Sequence, residues 1–472
     1  MIRFLLNNEL IRTDKPPGML LLDFIRYHAS LKGTKIGCRE GDCGACTVLI
    51  GELKAGRVAY WSAVSCLTAL GNVQGKQVVT VEGTNMEEGL NGAQRVLCEE
   101  SGTQCGFCTP GFIVSMAGFC LSDKSPTYAN ALAAVDGNIC RCTGYKSIER
   151  ALAKLTGLLE GKGAGSGVDF LMEHKLLPPF FKTVKTRLEL LAQETNGIQE
   201  EKRGAVFLGG GTDLYVQRHE EMVESALQFL SGRPDLKGIY QEGRDCCVGA
   251  ASTVTDLLES PLFRKGFPAF DQYARLISST PIRNIATVGG NLVNASPIGD
   301  LSIFFLAVDA RVVLSDGGSL RELPLREFYL GYKKLHKKPE EWIAQVRFTL
   351  PETYDYFHFE KVSKRTCLDI ASVNSAIGIR MKGDCIESAH LSAGGVGPVP
   401  AYLSAAAMLR GERVTEFLVL ELVRAASAEV RPISDARGTE AYKRLLLGQL
   451  IKAHFLTLFP DRLDAGALLK GS

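Results

Sequence analysis

Fourteen cysteines stand in this chain, and eight of them fall into two compact groups before residue 143. The first group is Cys38-Arg39-Glu40-Gly41-Asp42-Cys43-Gly44-Ala45-Cys46, a Cys-x4-Cys-x2-Cys pattern, with Cys66 twenty residues further on. Four thiolates at plant-type spacing of this kind hold two irons and two bridging sulfides. The interspersed glycines suit a loop that turns its N–H groups toward sulfur and visits φ > 0. Zinc is the competing reading, since it also takes four thiolates. Its sites usually carry two short Cys-x2–4-Cys knuckles, and this asymmetric spacing does not match.

The second group joins Gln104-Cys105-Gly106-Phe107-Cys108-Thr109-Pro110-Gly111 to Asn138-Ile139-Cys140-Arg141-Cys142-Thr143-Gly144-Tyr145. One half is Cys-x2-Cys and the other Cys-x-Cys, thirty-two residues apart. Zinc is again the alternative. A Cys-x-Cys half-site among helices, directly after a ferredoxin-like segment, favours a second two-iron cluster. The remaining cysteines (98, 120, 246, 247, 367 and 385) are scattered and read as small buried hydrophobes. Cys246 and Cys247 are adjacent on a predicted strand and so face opposite ways.

Two glycine loops follow. The run Phe207-Leu208-Gly209-Gly210-Gly211-Thr212-Asp213-Leu214 leaves a strand. The second loop, Thr287-Val288-Gly289-Gly290-Asn291, precedes Ser296 and Asp300. Neither is the Gly-x-Gly-x-x-Gly fingerprint of a dinucleotide fold. Both offer backbone N–H nests and nearby hydroxyls for a pyrophosphate, and either alone also reads as a plain turn. An iron–sulfur chain upstream tips the reading toward a cofactor, because such a chain needs a terminal acceptor.

The elements that must position these groups follow from periodicity. Residues 2–6 and 9–12 read as a hairpin around Asn7-Asn8, and 19–30 as helical. Residues 47–50, 58–64 and 78–81 are β-rich. Helical spacing then takes over at 87–98, 110–121, 128–135 and 147–159, with Pro110 suited to a first turn. Residues 161–168 have the composition of a flexible linker. Residues 357–361 and 372–381 read as β hairpins, 383–397 as turn-rich, and 401–409, 414–431 and 441–455 as helical. Lys364, Arg365 and Asp369 read as a solvated loop. The expected fold class is α+β multidomain. Residues 1–80 form a ferredoxin-like β-grasp domain, 84–160 a helical-bundle [2Fe–2S] domain, and 161–175 a linker. A further domain over 176–353, which holds both glycine loops, and a small α+β C-terminal domain over 356–466 complete it.

A chain of 472 residues exceeds the size of a single core. With 46% hydrophobic and 22% charged residues it has the composition of ordinary globular protein. A net charge of +2 gives no electrostatic reason to expect nucleic acid or an anionic membrane as partner. The N-terminal residues alternate like a strand, without the apolar core of a signal peptide, and no uncharged run reaches the ~20 residues needed to span a bilayer. The expected location is the cytoplasm.

The order of these parts, with Gln-Cys-Gly-Phe-Cys-Thr-Pro-Gly and Cys-Arg-Cys-Thr-Gly-Tyr, resembles the xanthine dehydrogenase family of molybdenum hydroxylases over nearly the whole chain. It is most similar to the small iron–sulfur/FAD subunit of two-subunit bacterial members. The resemblance implies an oxidoreductase in purine catabolism, oxidising hypoxanthine and xanthine to urate at molybdenum. Electrons would pass through both clusters to FAD and on to NAD. It assigns Cys38, Cys43, Cys46 and Cys66 to one cluster, nearer FAD. Cys105, Cys108, Cys140 and Cys142 go to the other, nearer molybdenum. Gln104 falls where the family contacts the molybdopterin; the plain alternative is a solvent-facing glutamine. FAD is implied at residues 207–214 and 287–291, with Asp300 and Lys361, in a flavin domain of vanillyl-alcohol-oxidase type. Ile277 stands where some members place an aromatic against the flavin ring.

No third large segment for a molybdopterin is expected within these 472 residues. The chain by itself is expected to have no catalytic residues for purine oxidation. The implied partner is a large molybdopterin-binding subunit, in a heterotetramer of two small and two large chains. Rival readings keep the cofactors but serve an aldehyde, nicotinate or carbon monoxide hydroxylase, many of which split the iron–sulfur and flavin parts between chains. From other classes come a stand-alone flavin/iron–sulfur reductase, which needs one cluster and a nicotinamide-nucleotide module, and a zinc-bound interaction protein.

Overall fold

The computed structural model describes residues 1–163, 167–195, 204–352, 355–365 and 367–470. Contacts divide the chain into two compact units, Met1–Gly232 with Ser279–Ala286, and Arg233–Ser278 with Thr287–Ser472. The boundary therefore falls inside the expected flavin domain.

In the first unit, strands β1 (Ile2–Leu6), β2 (Glu9–Thr13), β3 (Thr47–Lys54), β4 (Arg57–Val64) and β5 (Gln77–Val79) form one sheet, ordered β2-β1-β5-β3-β4. Only β1 and β5 run parallel; the other pairs are antiparallel. Alternation turns Ile2, Phe4 and Leu6 inward, onto Leu21, Phe24, Ile25, Val48, Ile50 and Val78. The helix expected over 19–30 is one α turn, Leu21–Asp23, running into a π turn, Phe24–His28. The cysteine loop hangs between this turn and β3.

The helical half comprises Gly92–Glu99, Thr109–Leu121, Tyr128–Ala134 and Lys146–Leu158. The first helix starts later than its periodicity suggested because Asn91 caps it. Asn91 Oδ1 accepts from Gln94 N and Gln94 Oε1 accepts from Asn91 N, both at 2.9 Å. Thr109–Leu121 is apolar all round, carries Pro110 in its first turn, and is buried as the central element.

The linker expected over 161–175 is corrected in part. Residues 164–166 lie outside the described residues, but Gly167–Glu173 is a helix whose Leu171 joins the core of the helical domain. Glycine-rich composition masked the apolar residues that fix it. The next helix, Phe181–Thr195, packs Val184, Leu188 and Leu191 against Leu5 of the ferredoxin sheet.

The second unit contains a five-stranded antiparallel sheet. Its order is Leu320–Pro324, Arg311–Ser315, Trp342–Thr349, Asp245–Gly249, Ile239–Glu242. A phenylalanine cluster (263, 267, 270, 304 and 348) fills the space beneath it. A second, four-stranded sheet, Asp355–Val362, Val373–Lys382, Cys385–Gly394 and Ala401–Leu403, packs on helices Glu416–Glu429 and Glu440–Leu458. Here two expectations fail. Residues 383–397, read as turns, are mostly strand, and 401–409, read as helix, begin as strand and end as 3-10 helix Ser404–Leu409. Glycines 383, 394, 395 and 397 bracket the strand, while Ile386, Leu391 and Ala393 inside it enter the core.

Candidate redox centres

The eight cysteines gather as four sulfur pairs, two at each loop cluster. Cys38 pairs with Cys43, and Cys46 with Cys66. Cys105 and Cys142 bring their sulfurs to 3.5 Å, and Cys108 pairs with Cys140. Two pairs per site is the arrangement two irons require, one pair to each metal. Where thiols share a proton, one sulfur goes down and its partner up. Cys43 donates to Cys38 and draws it down to about 5, while Cys43 itself rises. Cys66 donates to Cys46 with the same opposed effect. All four sulfurs at a site must shed their protons to ligate metal.

Backbone donors stabilise the thiolates. Cys38 N points at Cys43 Sγ (3.4 Å) and Glu40 N at Cys38 Sγ (3.3 Å). Thr143 gives Cys140 Sγ both its N–H (3.5 Å) and its hydroxyl (3.2 Å). At Gly37 a Cβ would come within 2.6 Å of Cys43 Sγ, so any side chain there would push that sulfur aside. Arg39 holds the loop to the preceding turn through a fork onto Asp23, at 2.7 and 3.2 Å.

Burial is graded. Cys46 and Cys66 are buried, Cys38, Cys43 and Cys108 half-buried, and Cys140 buried, whereas Cys105 and Cys142 are exposed. Phe107, Ile139 and Tyr145, at 47, 38 and 39% exposure, stand on the same two loops as the exposed pair, and Gln104, next to Cys105 in sequence, is exposed too. The two cysteine loops also touch. Ile139 N donates to Cys43 O at 3.0 Å, and Asn138 Nδ2 to Gly44 O at 3.1 Å.

The first glycine loop joins the strand Val206–Leu208 to the helix Leu214–Glu224. Gly210 has no room for a Cβ, which would lie 1.8 Å from Ile285 O. Gly211 has φ +87° and faces Leu67 O, next to Cys66. Asn72 donates to Gly209 O (3.1 Å) and Tyr215 OH to Gly18 O (2.8 Å). Leu208 and Tyr215 share one apolar cluster with Cys46, Cys66 and Leu67.

In the second unit, Thr287 caps the helix Val288–Asn294 by accepting from Gly290 N at 3.1 Å. Gly289 lies against Ala250 without space for a side chain. The structure brings Asp300 and Lys361 together as a buried ion pair at 2.8 Å. Lys361 Nζ also donates to Leu276 O (2.7 Å), and Asn374 Nδ2 to Asp300 Oδ1 (2.6 Å). Sequence reasoning missed Asn374, whose only signal is a polar residue where the strand should turn inward. Asn291 Oδ1 and Asn374 Oδ1 are buried acceptors without a protein donor. Orphaned acceptors, glycines with no room for a Cβ and an ion pair fit a polar ring system carrying phosphates. Ile277, 3% exposed, follows the helix Phe270–Leu276.

Four family models match in succession. They are a 2Fe-2S iron-sulfur cluster binding domain (residues 4–70), a [2Fe-2S] binding domain (80–153), the FAD binding domain in molybdopterin dehydrogenase (182–351) and the CO dehydrogenase flavoprotein C-terminal domain (358–458). Xanthine dehydrogenase of Emericella nidulans is 30% identical over 89% of this chain and 36% of its own length. Xanthine dehydrogenase 1 of Arabidopsis thaliana is 28% identical over 94% of this chain and 39% of its own. The chain thus spans well under half the length of these curated relatives. Among solved structures, a chain of carbon monoxide dehydrogenase from Hydrogenophaga pseudoflava aligns with TM-score 0.52 and 26% identity, over 55% of this chain and 91% of that one. A chain of reconstituted CO dehydrogenase from Oligotropha carboxidovorans aligns with TM-score 0.51 and 26% identity, over 53 and 88%. The chain therefore carries two [2Fe–2S]-binding domains, an FAD-binding domain and a flavoprotein C-terminal domain. Among the described residues no helix is long and apolar enough to cross a membrane.

Proposed function

We propose that this chain, an iron–sulfur/FAD module of the molybdenum-hydroxylase kind, is the electron-transfer subunit of a xanthine dehydrogenase. Its molybdopterin-bearing partner oxidises hypoxanthine and xanthine, and NAD is the final acceptor. When bound, the two [2Fe–2S] clusters supply one-electron carriers and FAD joins that supply to two-electron hydride release. The observation that carries the reading is the graded placement of the ligand pairs.

Cys105 and Cys142 stand at the surface, where a partner's centre can approach, and exposed Gln104 has an amide able to donate to and accept from a pterin edge. Cys108 and Cys140 lie on the inner side, and Ile139 N–H bonds the neighbouring loop at Cys43 O. Cys46 and Cys66 complete the series among apolar side chains that include Leu208 and Tyr215 of the glycine loop. That surround excludes water between the first site and the flavin loop. Within the first unit, the N–H groups of Thr212, Asp213 and the glycines of their loop are donors suited to phosphate; within the second, Thr287 with its glycines is another such loop, and Asp300 with Lys361 offers a polar pair to the cofactor.

Relatives named xanthine dehydrogenase cover both iron–sulfur domains and the flavin domain in this order within one chain, which favours the purine reading. The aligned carbon monoxide dehydrogenase chains cover only about half of this one and favour a second reading, the same electron relay in a carbon monoxide hydroxylase. The test is to purify the native complex, assay iron, sulfide, molybdenum and flavin, and offer it xanthine, aldehyde and carbon monoxide. Xanthine-dependent NADH formation is expected. Turnover of carbon monoxide without purine activity would replace the first reading by the second.

A further inference from the structure

The two cysteine loops are joined by one buried side chain. Asn138 is 6% exposed and lies two residues before the ligand Cys140. Its Nδ2 donates to Gly44 O at 3.1 Å and approaches Thr47 Oγ1 at 3.4 Å. Its Oδ1 accepts from Ser115 Oγ at 2.7 Å, on the central helix of its own, helical domain. Gly44 stands between the ligands Cys43 and Cys46, has φ +66°, and would drive a Cβ to 2.3 Å from Gly137 O. Gly111 is equally constrained, with Gly44 O at 2.3 Å from its Cβ position. The contact is therefore glycine on glycine, and the Asn138 amide is the side chain that hydrogen-bonds across it. A buried amide satisfied on both sides is costly to disturb, because truncation strands its partners.

We infer that Asn138 is the positioning residue that sets the distance and orientation between the two iron–sulfur sites. The inference rests on the electron-relay reading and deepens it. In the step concerned, one electron leaves one reduced site and enters the other; no bond forms or breaks and no proton moves. The residue does not ligate. It holds the Ile139 N–H to Cys43 O bond in place, and with it a direct bonded connection between the loops.

The test uses the full chain in its native complex, reduced with dithionite, and reads the magnetic splitting between the two paramagnetic clusters by EPR. Asn138→Ala is expected to retain wild-type iron and sulfide per chain while the splitting changes and transfer from one cluster to the other slows. A cluster-replete Asn138→Ala protein with unchanged splitting and unchanged transfer would overturn the positioning role. If that variant does not fold, Ser115→Ala decides. It removes only the donor that orients the amide, and a smaller change in the same direction is expected; wild-type splitting there refutes the role. Wild-type protein without inorganic sulfide would instead sink the relay reading itself.

Discussion

Cys105 and Cys142 differ from the other six clustered cysteines in standing exposed. Cys105→Ser should therefore interrupt electron flow from the partner while NADH-dependent dye reduction through the flavin persists. Loss of the dye activity in folded protein would reverse the proposed order of carriers. Asp300 is a different kind of position. Its carboxylate faces Lys361, whose side chain is 2% exposed, and removing one member of a buried pair costs about 3–5 kcal/mol. Asp300→Ala is expected to lower both melting temperature and flavin occupancy, with Lys361 left to Leu276 O alone. Full flavin content in the variant would remove Asp300 from the site. The two cysteine clusters were legible in the sequence because their spacing is local and few chemistries use it. Asn138 and Asn374 were not, because the partners that give these amides their meaning, Gly44 and Asp300, lie more than seventy residues away.

At the scale of elements, the turn after Tyr128–Ala134 does more than its length suggests. Asp136 receives Thr280 N at 2.6 Å and pairs with Arg283, which is 5% exposed. Thr280 Oγ1 reaches Ala133 O (2.7 Å), and Asn284 Nδ2 reaches Ser62 O (2.8 Å). The short segment Ser279–Ala286 is thereby fastened to both iron–sulfur domains. Asp136→Ala should destabilise this unit by about 3–5 kcal/mol. Adding Arg283→Ala should cost less than the two single losses summed, which a double-mutant cycle on thermal unfolding checks. None of this was readable in advance, since Thr280–Arg283 is a four-residue helix in a run of ordinary composition. The helix Gly167–Glu173 and the strand Cys385–Gly394 were misread for a related reason. Glycine content dominated the local signal, while the apolar residues that decide the outcome find their partners far along the chain.

On the scale of the whole molecule, the second unit holds a buried imidazole pair, His358 and His454, with Nδ1 atoms 2.7 Å apart. Burial pushes both below the usual 6.5, His454 well below, where His358 adds to the effect. Folded chains then bind fewer protons than unfolded ones at mildly acid pH, so stability is present above pH 6.5 and is lost as pH falls below it. Melting temperature should fall between pH 7 and 5 (about the range in which histidine titrates), and His454→Leu should reduce that slope. A slope unchanged by the substitution would assign the acid sensitivity elsewhere. The interleaving of the units carries a consequence for how the molecule is made. Residues 233–278 belong to one unit but are translated before 279–286, which complete the other. At ~5–20 residues per second, the ribosome needs roughly 3–10 s more after residue 232 before the iron–sulfur unit has all its parts. Nascent thiols are thus held in an unfinished scaffold for seconds, a window in which delivery of metal and sulfide competes with oxidation.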